Sequence, residues 1–356
     1  MSKKFLLILS MVVIGSLLFA ACTPTEEPPA EEPPTEEPPA EEAVYVCQIT
    51  DTGGIDDKSF NQTAWKGVQD AEAELGIRSN YLESQEVADY EKNLNAFAEE
   101  ECDLIITVGF LIGDATKAAA EANPDIYYSI VDYAYEETIP NLVGQIFETD
   151  EAAFLAGYAA AAVTQTGKVG TFGGLPIPTV TIFMDGFAKG VAKYNEVKGT
   201  NVEVLGWDLD NPDAGLFSMD FDDQQKGREL AVSLMDEGAD IIMPVAGPVG
   251  LGAAAAIQER GNAYVIGVDS DWFLTSPEYA DIILTSVMKL MDATTYQVIE
   301  NVINDSFEPG VIVGTLENEG VALAPFHDNA DLISDEIQAE LDQLKADIIA
   351  GTIVLD

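Results

Sequence analysis

The feature that most constrains the fold is a series of short apolar segments, each followed by an amphipathic helical pattern. Continuous apolar strands that alternate with helices are typical of parallel sheets covered by helices on both faces. The pattern runs through four such units and starts again near residue 166. It therefore predicts an α/β chain with two doubly wound parallel-sheet lobes.

The order of these segments also predicts where a ligand site would lie. In open parallel sheets, ligands bind beyond the carboxyl ends of the strands. Two lobes that face each other at those ends would enclose a cleft. The predicted strands are 44–50, 79–83, 103–108, 126–131, 168–172, 202–207, 240–245, 263–268 and 282–286.

The segment after the first strand, 51–67, reads DTGGIDDKSFNQTAWKG. Its glycine pair permits a tight turn close to a ligand, and Ser59 is a candidate N-cap for the following helix. Phe60 and Asn61 would then lie at the mouth of the cleft and offer a flat ring and an amide. Structural roles are the alternative, because Phe60 can pack the loop and the two aspartates at 56 and 57 favour a helix N-terminus.

The equivalent segment of the second half, 173–187, reads GGLPIPTVTIFMDGF. Pro178 fits a first helical turn. Phe183 follows on the mouth side, and Phe187, one turn deeper, is expected in the lobe core. Two aromatic rings, one from each lobe, can sandwich a planar ligand, and stacking on a base contributes roughly 1–3 kcal/mol.

Polar residues end several of the other strands. Asp132 and Asp269 follow strongly apolar runs, and a carboxylate there can accept hydrogen bonds from a pair of ligand hydroxyls. The alternative is that each caps a turn. Lys289 can reach the cleft as a point-charge donor. The remaining candidates at strand ends are Asp51, Phe110 and Gly247.

The composition excludes several classes of function. The chain has 63 acidic and 16 basic residues, a formal net charge of −47, so nucleic acid and anionic lipid surfaces would repel it. The only histidine, His327, has no partner visible in the sequence and is expected to be structural. No metal-ligand spacing or phosphate-binding glycine motif occurs. We therefore expect no cofactor, no metal and no enzymatic activity.

The N-terminus has the pattern of an exported lipoprotein. Lys3 and Lys4 precede an apolar stretch, 5–19, and two alanines lead to Cys22. We expect a signal peptide at 1–21 and lipidation of Cys22, which would anchor the chain at the cell membrane on the extracytoplasmic side. An ordinary secretory signal is the alternative, because Phe19 stands where such motifs usually carry leucine.

A repeat of Glu-Glu-Pro-Pro-Ala/Thr follows Cys22. Proline favours extended backbone and the glutamates repel one another, so 22–43 is expected to be a disordered spacer between anchor and fold. The other two cysteines, Cys47 and Cys102, could pair in an exported protein. Buried free thiols are the expectation.

Several motifs together resemble one known family. They are DTGGIDDKSFNQTAWKG at 51–67, VGF at 108–110, GGLPIPTVTIFMDGFAKG at 173–190, PVAGPVGLG at 244–252, IGVDSDW at 266–272 and SVMKLMD at 286–292. In this order they are similar to the basic membrane protein (BMP), or PnrA-like, family of ABC-transporter binding lipoproteins. The resemblance covers roughly residues 43–326, although the family's name does not suit so acidic a chain.

The resemblance implies a type I periplasmic binding protein with three crossings between lobes. Lobe I would comprise 44–145 plus 286–316, and lobe II 146–285 plus 317–356. It further implies that the protein delivers a nucleoside, of the purine type, to an ABC transporter permease. A carrier that must dock on a permease is expected to be a monomer.

Roles follow from the motif positions. Phe60 and Phe183 would stack on the base with Asn61 beside it, and the first lobe would bind polar edges through Asp51 and Asp132. The ribose hydroxyls would be held by Gly247, Asp269 and Lys289.

Two other functions fit the residues alone. Cleft aromatics and carboxylates also suit a receptor for a sugar or another small polar solute. A nucleoside-processing hydrolase would need a compact metal loop, and none is evident in the sequence.

Overall fold

A computed structural model describes residues 43–355. The expected signal peptide, Cys22 and the spacer up to residue 42 lie outside the described residues. Within 43–355, no helix is both long enough and apolar enough to cross a bilayer.

The described residues form twelve strands and ten α-helices. In chain order the strands are β1 Tyr45–Ile49, β2 Arg78–Leu82, β3 Leu104–Val108, β4 Tyr127–Val131, β5 Leu142–Phe147, β6 Lys168–Gly173, β7 Glu203–Leu205, β8 Ile241–Val245, β9 Tyr264–Asp269, β10 Ile283–Lys289, β11 Gly310–Gly314 and β12 Val321–Leu323. The helices are α1 Phe60–Leu75, α2 Asp89–Glu99, α3 Gly113–Ala122, α4 Thr149–Val163, α5 Pro178–Lys198, α6 Gln224–Asp236, α7 Pro248–Arg260, α8 Trp272–Thr275, α9 Met291–Ile303 and α10 Asp335–Ile349.

Two six-stranded sheets repeat one strand order. The first is β11-β5-β4-β3-β1-β2 and the second is β12-β10-β9-β8-β6-β7. All neighbouring strands are parallel except β10 and β12. Each sheet therefore reverses its order once, between β1 and β3 in the first and between β6 and β8 in the second. The predicted α/β class with two doubly wound lobes is confirmed.

The chain passes between the lobes three times. It leaves the first sheet after β5, because α4 packs on α5 beside the second sheet. It returns after β10, since α9 packs on α1, and it crosses again between β11 and β12. The expected lobe boundaries at 145 and 285 fall inside strands, since hydrogen bonding continues to Phe147 in β5 and to Lys289 in β10.

Three strands were absent from the sequence prediction. β5 has the sequence LVGQIF, in which a glycine and a glutamine interrupt the apolar run. β11 is bounded by glycines, and β12 has three residues and pairs antiparallel at the sheet edge. Their pairing comes from the tertiary fold, which supplies partners that a local pattern does not show.

A disulfide joins Cys47 to Cys102, so the expectation of free thiols is wrong. Cys47 lies in β1 and Cys102 lies two residues before β3. These strands are neighbours in the sheet although α1, β2 and α2 separate them in the chain. The Cα atoms are consequently 6.1 Å apart, within the range that a disulfide spans.

Breaking this cross-link should destabilise the protein. The bridge closes a loop with a sequence separation of 55. Closing a loop of that size lowers the conformational entropy of the unfolded chain, which adds about 4 kcal/mol at most to the free energy of unfolding. We expect reductant to lower the free energy of unfolding by roughly 2–4 kcal/mol in urea titrations. A Cys47→Ala/Cys102→Ala variant is the control and should not respond to reductant. Equal unfolding curves for the wild type with and without reductant would contradict the bridge.

Candidate functional site

The residues after the strands converge on one cavity between the two sheets. With the open solvent at its mouth included, the cavity has about 570 Å³ of empty space. It lies beside both order reversals, where β1 and β3 face β6 and β8. The nine residues that the sequence predicts for ligand binding all line it: Asp51, Phe60, Asn61, Phe110, Asp132, Phe183, Gly247, Asp269 and Lys289.

The loop before α1 is fixed by Asp57. Its carboxylate accepts hydrogen bonds from the backbone N–H groups of Ser59, Asn61 and Gln62 at 2.7–3.0 Å, so Asp57 satisfies donors that a helix N-terminus otherwise leaves free. Ser59 occupies the N-cap position, but its side chain makes no capping bond. Ser59 therefore stands at the predicted position, but the prediction that its side chain caps the helix is wrong.

The Ser59 hydroxyl instead bonds across the cleft. It donates to the carbonyl of Val268 and lies 3.0 Å from Asp269 Oδ2. Nearby, the Ser270 hydroxyl donates to the carbonyl of Lys58 at 3.1 Å. These bonds join the loop before α1 to the end of β9, so the structure has its two lobes closed.

Asp51 lies at the end of β1 and is held from three directions. The Tyr90 hydroxyl and the Thr52 N–H both donate to its Oδ1. The Asp51 N–H donates to the amide oxygen of Asn61 at 3.1 Å. Gly109 lies against the carboxylate at φ +113°, and a Cβ there would overlap it. Glycine is thus required after β3 for both its conformation and its size.

Lys289 is the one cation that lines the cavity in the described part of the chain. Its side chain is 3% exposed; its Nζ is 2.6 Å from Asp132 Oδ2 and 3.8 Å from Asp269 Oδ1. Both aspartates adopt left-handed backbone, with φ of +66° and +67°. Aspartate tolerates this conformation better than most residues. The left-handed backbone at the ends of β4 and β9 therefore turns both carboxylates towards one ammonium group.

Aromatic rings from both lobes surround the same ammonium group. Lys289 Nζ is 5.2 Å from the ring centre of Phe60 in α1 and 5.1 Å from that of Phe183 in α5. Phe147 lies at 5.9 Å. Phe187 is fully buried in the lobe core, as the sequence predicts. The two predicted stacking rings thus face a common volume from opposite lobes.

Sequence reasoning missed other parts of the site. Phe221 lines the cavity from the long loop between β7 and α6, and its ring packs on Gly174, where a Cβ would collide with it. Phe221 lies far beyond the end of β7 in the sequence, so a prediction based on the residues that directly follow strands does not include it. Asp57 also lines the cavity. The hydroxyl of Tyr90, in α2, donates to Asp51, and no sequence pattern near Tyr90 indicates this contact.

Burial dominates the electrostatics of the cavity. Desolvation raises the pKa of Asp57 to about 7, against the three N–H groups that favour its ionised form. Burial likewise raises the pKa of Asp132 and of Asp269, opposed in each case by the Lys289 ammonium. Burial also raises the pKa of Asp51, and the hydrogen bond from Tyr90 opposes the shift. The cavity is therefore rich in acceptors and suits an uncharged ligand that offers hydroxyl or N–H donors and a planar face.

His327 lies outside the residues that line the cavity. Its Nε2 is 2.8 Å from Asp271 Oδ2, and its ring stacks on Phe273 with centres 4.0 Å apart. The partner that the sequence did not reveal is thus Asp271, which also accepts from the N–H of Phe273 at the start of α8. These contacts fit a structural role for the histidine.

The buried Asp57 should make stability depend on pH. Because its pKa is about 7 in the folded chain and about 3.9 when unfolded, the folded state binds the extra proton. Its contribution is fully present below about pH 4 and is lost as the pH rises through about 7. We expect the free energy of unfolding to fall more steeply between these limits in the wild type than in Asp57→Asn, measured by urea titration at several pH values. Asp56→Asn, an exposed carboxylate in the same loop, is the control and should retain the wild-type slope. A shallower or equal slope in the wild type would contradict the assignment.

Comparison with known proteins agrees with this geometry. The family model for PnrA-like ABC transporter substrate-binding proteins matches residues 45–356. Basic membrane protein A of Borreliella burgdorferi is 31% identical, with 98% of this chain and 95% of that protein covered. The ABC transporter nucleoside-binding protein BmpA of Lactococcus lactis is 30% identical, with 86% and 87% covered.

A solved structure agrees in fold. An ABC transporter solute-binding protein from Aeropyrum pernix superposes with a TM-score of 0.79 at 27% identity, over 87% of this chain and 92% of that one. The type I periplasmic-binding fold expected from the sequence is therefore confirmed, and the role is binding rather than catalysis. The chain belongs to the PnrA-like, or basic membrane protein, family of ABC transporter substrate-binding proteins.

Proposed function

We propose that this protein is a lipid-anchored, monomeric receptor that binds a purine nucleoside between its lobes and delivers it to an ABC transporter permease. The observation that carries the proposal is the common volume between Phe60 and Phe183, which ends at Lys289 and two carboxylates. A nucleoside has a planar base for the rings and ribose hydroxyls for the charged groups. The name of the Lactococcus relative supports the same ligand class.

The proposed roles divide the cavity into two ends. Phe60 and Phe183 stack on the base, because their rings come from opposite lobes. Lys289, with Asp132 and Asp269, forms the ribose end, where one ammonium donates and two carboxylates accept. Gly247, at φ +52°, adds a backbone that a ligand can approach closely, since little surrounds the position of its absent Cβ.

The opposite end of the cavity meets the polar edge of the base. Asn61 and Asp51 are hydrogen-bonded to each other there, and Phe110 follows Gly109 beside them. This assignment moves Asp132 from the base edge, expected from the motif positions, to the ribose end, because Asp132 is ion-paired to Lys289.

The charge of the cavity selects against phosphorylated ligands. Asp51, Asp57, Asp132 and Asp269 line it together with a single lysine, and a phosphate would meet several carboxylates at short range. The proposed ligand is therefore the nucleoside and not the nucleotide.

Thermal melting against a ligand panel tests the proposal. A ligand at 100 times its Kd stabilises a protein by roughly 2.7 kcal/mol. We expect inosine, guanosine or adenosine to raise the Tm, and free ribose, glucose and the 5′-monophosphates to have no effect. Stabilisation by sugars alone would agree with the binding-protein fold but would contradict a nucleoside as the ligand.

Substitution of Phe183 tests the stacking. Phe183→Leu keeps an apolar side chain but removes the ring, so we expect nucleoside affinity to fall by about 1 kcal/mol or more, roughly fivefold or more in Kd. Phe187→Leu is the matched control in the same helix, and it should reduce stability while the Kd stays unchanged. Isothermal titration measures both values. An unchanged Kd in Phe183→Leu would contradict the sandwich.

The lipid anchor is tested at Cys22. Without this thiol no lipid can be attached, so we expect Cys22→Ala to move the protein from the membrane fraction to the extracytoplasmic soluble fraction. Cell fractionation and immunoblotting measure the distribution, with Cys47→Ala/Cys102→Ala as the control that keeps Cys22. Retention of Cys22→Ala in the membrane would contradict lipid anchoring at this residue.

A further inference from the structure

The two oxygens of the Asp51 carboxyl group have different surroundings. Oδ1 accepts from the Tyr90 hydroxyl and from the Thr52 N–H, the latter at 2.8 Å. Among the described residues, none donates to Oδ2, which lies against Gly109 in the wall of the cavity. Oδ2 is therefore the oxygen left for a ligand.

Tyr90 also determines where a proton on this carboxyl group would reside. Its side chain is 1% exposed, and within the described chain Asp51 is the one hydrogen-bond partner of its hydroxyl. A proton on Oδ1 would have to point at the tyrosine oxygen and would leave the buried tyrosine hydrogen without an acceptor, which is costly. The Thr52 N–H can only donate, so it also needs Oδ1 as an acceptor. The neutral acid consequently carries its proton on Oδ2, towards the ligand.

Burial makes the neutral form of Asp51 accessible, because it is the main cause that raises the pKa of this carboxyl group. The like charges of Asp222, in the loop before α6, and of Asp132, after β4, raise the pKa further. Tyr90 of α2 works in the opposite direction by stabilising the carboxylate. Both protonation states are thus available without any movement of the side chain.

We propose that Tyr90, Thr52 and Gly109 hold Asp51 as an adaptable specificity group, which accepts a hydrogen bond from the base as a carboxylate and donates one as a neutral acid. One cavity then takes bases whose polar edge offers an N–H and bases that offer a bare ring nitrogen. The inference rests on the proposed nucleoside function and names Tyr90 as a positioning residue for it.

A pair of ligands separates the two states. Inosine carries an N–H donor in the six-membered ring of its base, whereas purine riboside has only acceptors on its base. Both carry the same ribose, so the other carboxylates of the cavity affect their binding alike. Inosine should bind the carboxylate, and purine riboside should bind the neutral acid with uptake of one proton.

The ratio of their Kd values therefore reports the protonation state of Asp51 alone. We expect the Kd of inosine divided by that of purine riboside to fall roughly tenfold for each unit of rising pH, between about pH 5 and about pH 7.5. Isothermal titration of the full chain measures the ratio, and titration in two buffers of different ionisation enthalpy measures the proton uptake.

Two variants test the residues, with one matched control. In Asp51→Asn the amide oxygen must accept from Thr52 and Tyr90, so the NH₂ group faces the ligand permanently. The ratio should become independent of pH and favour purine riboside. Tyr90→Phe removes the bond that stabilises the carboxylate and should shift the ratio severalfold towards purine riboside at every pH. Tyr135→Phe removes a tyrosine hydroxyl that donates to the carbonyl of Gly113, outside the cavity, and should leave the ratio unchanged.

The outcomes separate this inference from the function on which it rests. If both ligands bind but the ratio of their Kd values does not change with pH, the proposal that Asp51 changes its protonation state with the ligand is contradicted. The proposed nucleoside site is unaffected by that result. If Tyr90→Phe weakens both ligands by one common factor, its role in positioning the proton is overturned. If neither ligand binds at any pH, the nucleoside function itself fails.

Discussion

The site depends on the burial of one ammonium group between two lobes. A buried charge is costly unless it is paired, and removal of one partner leaves the others uncompensated. Lys289 satisfies this requirement with Asp132 from one sheet and Asp269 from the other. It is the last residue of β10, at the point where the chain returns to the first lobe. The complete ion group therefore requires residues of both sheets.

The same logic repeats at the ends of β4 and β9. Asp132 directly follows β4 and Asp269 ends β9, both in left-handed backbone, and the two φ angles differ by one degree. Unusual backbone at strand ends often accompanies binding sites, where the surroundings compensate the strain. Here the compensation is visible, because each carboxylate is turned to the lysine. Gly109, after β3, completes the arrangement by leaving room for Asp51.

Much of this could be predicted from the sequence, and the reasons are physical. Apolar strands alternating with helices fix the class of fold, and the carboxyl ends of strands fix the site; the residues named on that basis line a single cavity. The missed features depend on contacts between segments far apart in the chain. β5 and β11 pair with each other across more than a hundred residues, and Tyr90 reaches Asp51 from another helix. The disulfide was misjudged because the adjacency of β1 and β3 is a property of the sheet and not of the local sequence.

The position of the disulfide bears on the order in which an exported chain assembles. Cys47 and Cys102 both lie in the first third of the sequence, and the cross-link between them ties β1 to β3 within the first sheet. None of the residues of the second sheet is needed for this bond. Yet the first sheet is complete only when β11, near the far end of the chain, pairs with β5. The lobe that carries the covalent bond near the start of the chain thus also depends on a strand near its end, and without β11 the edge of β5 stays open.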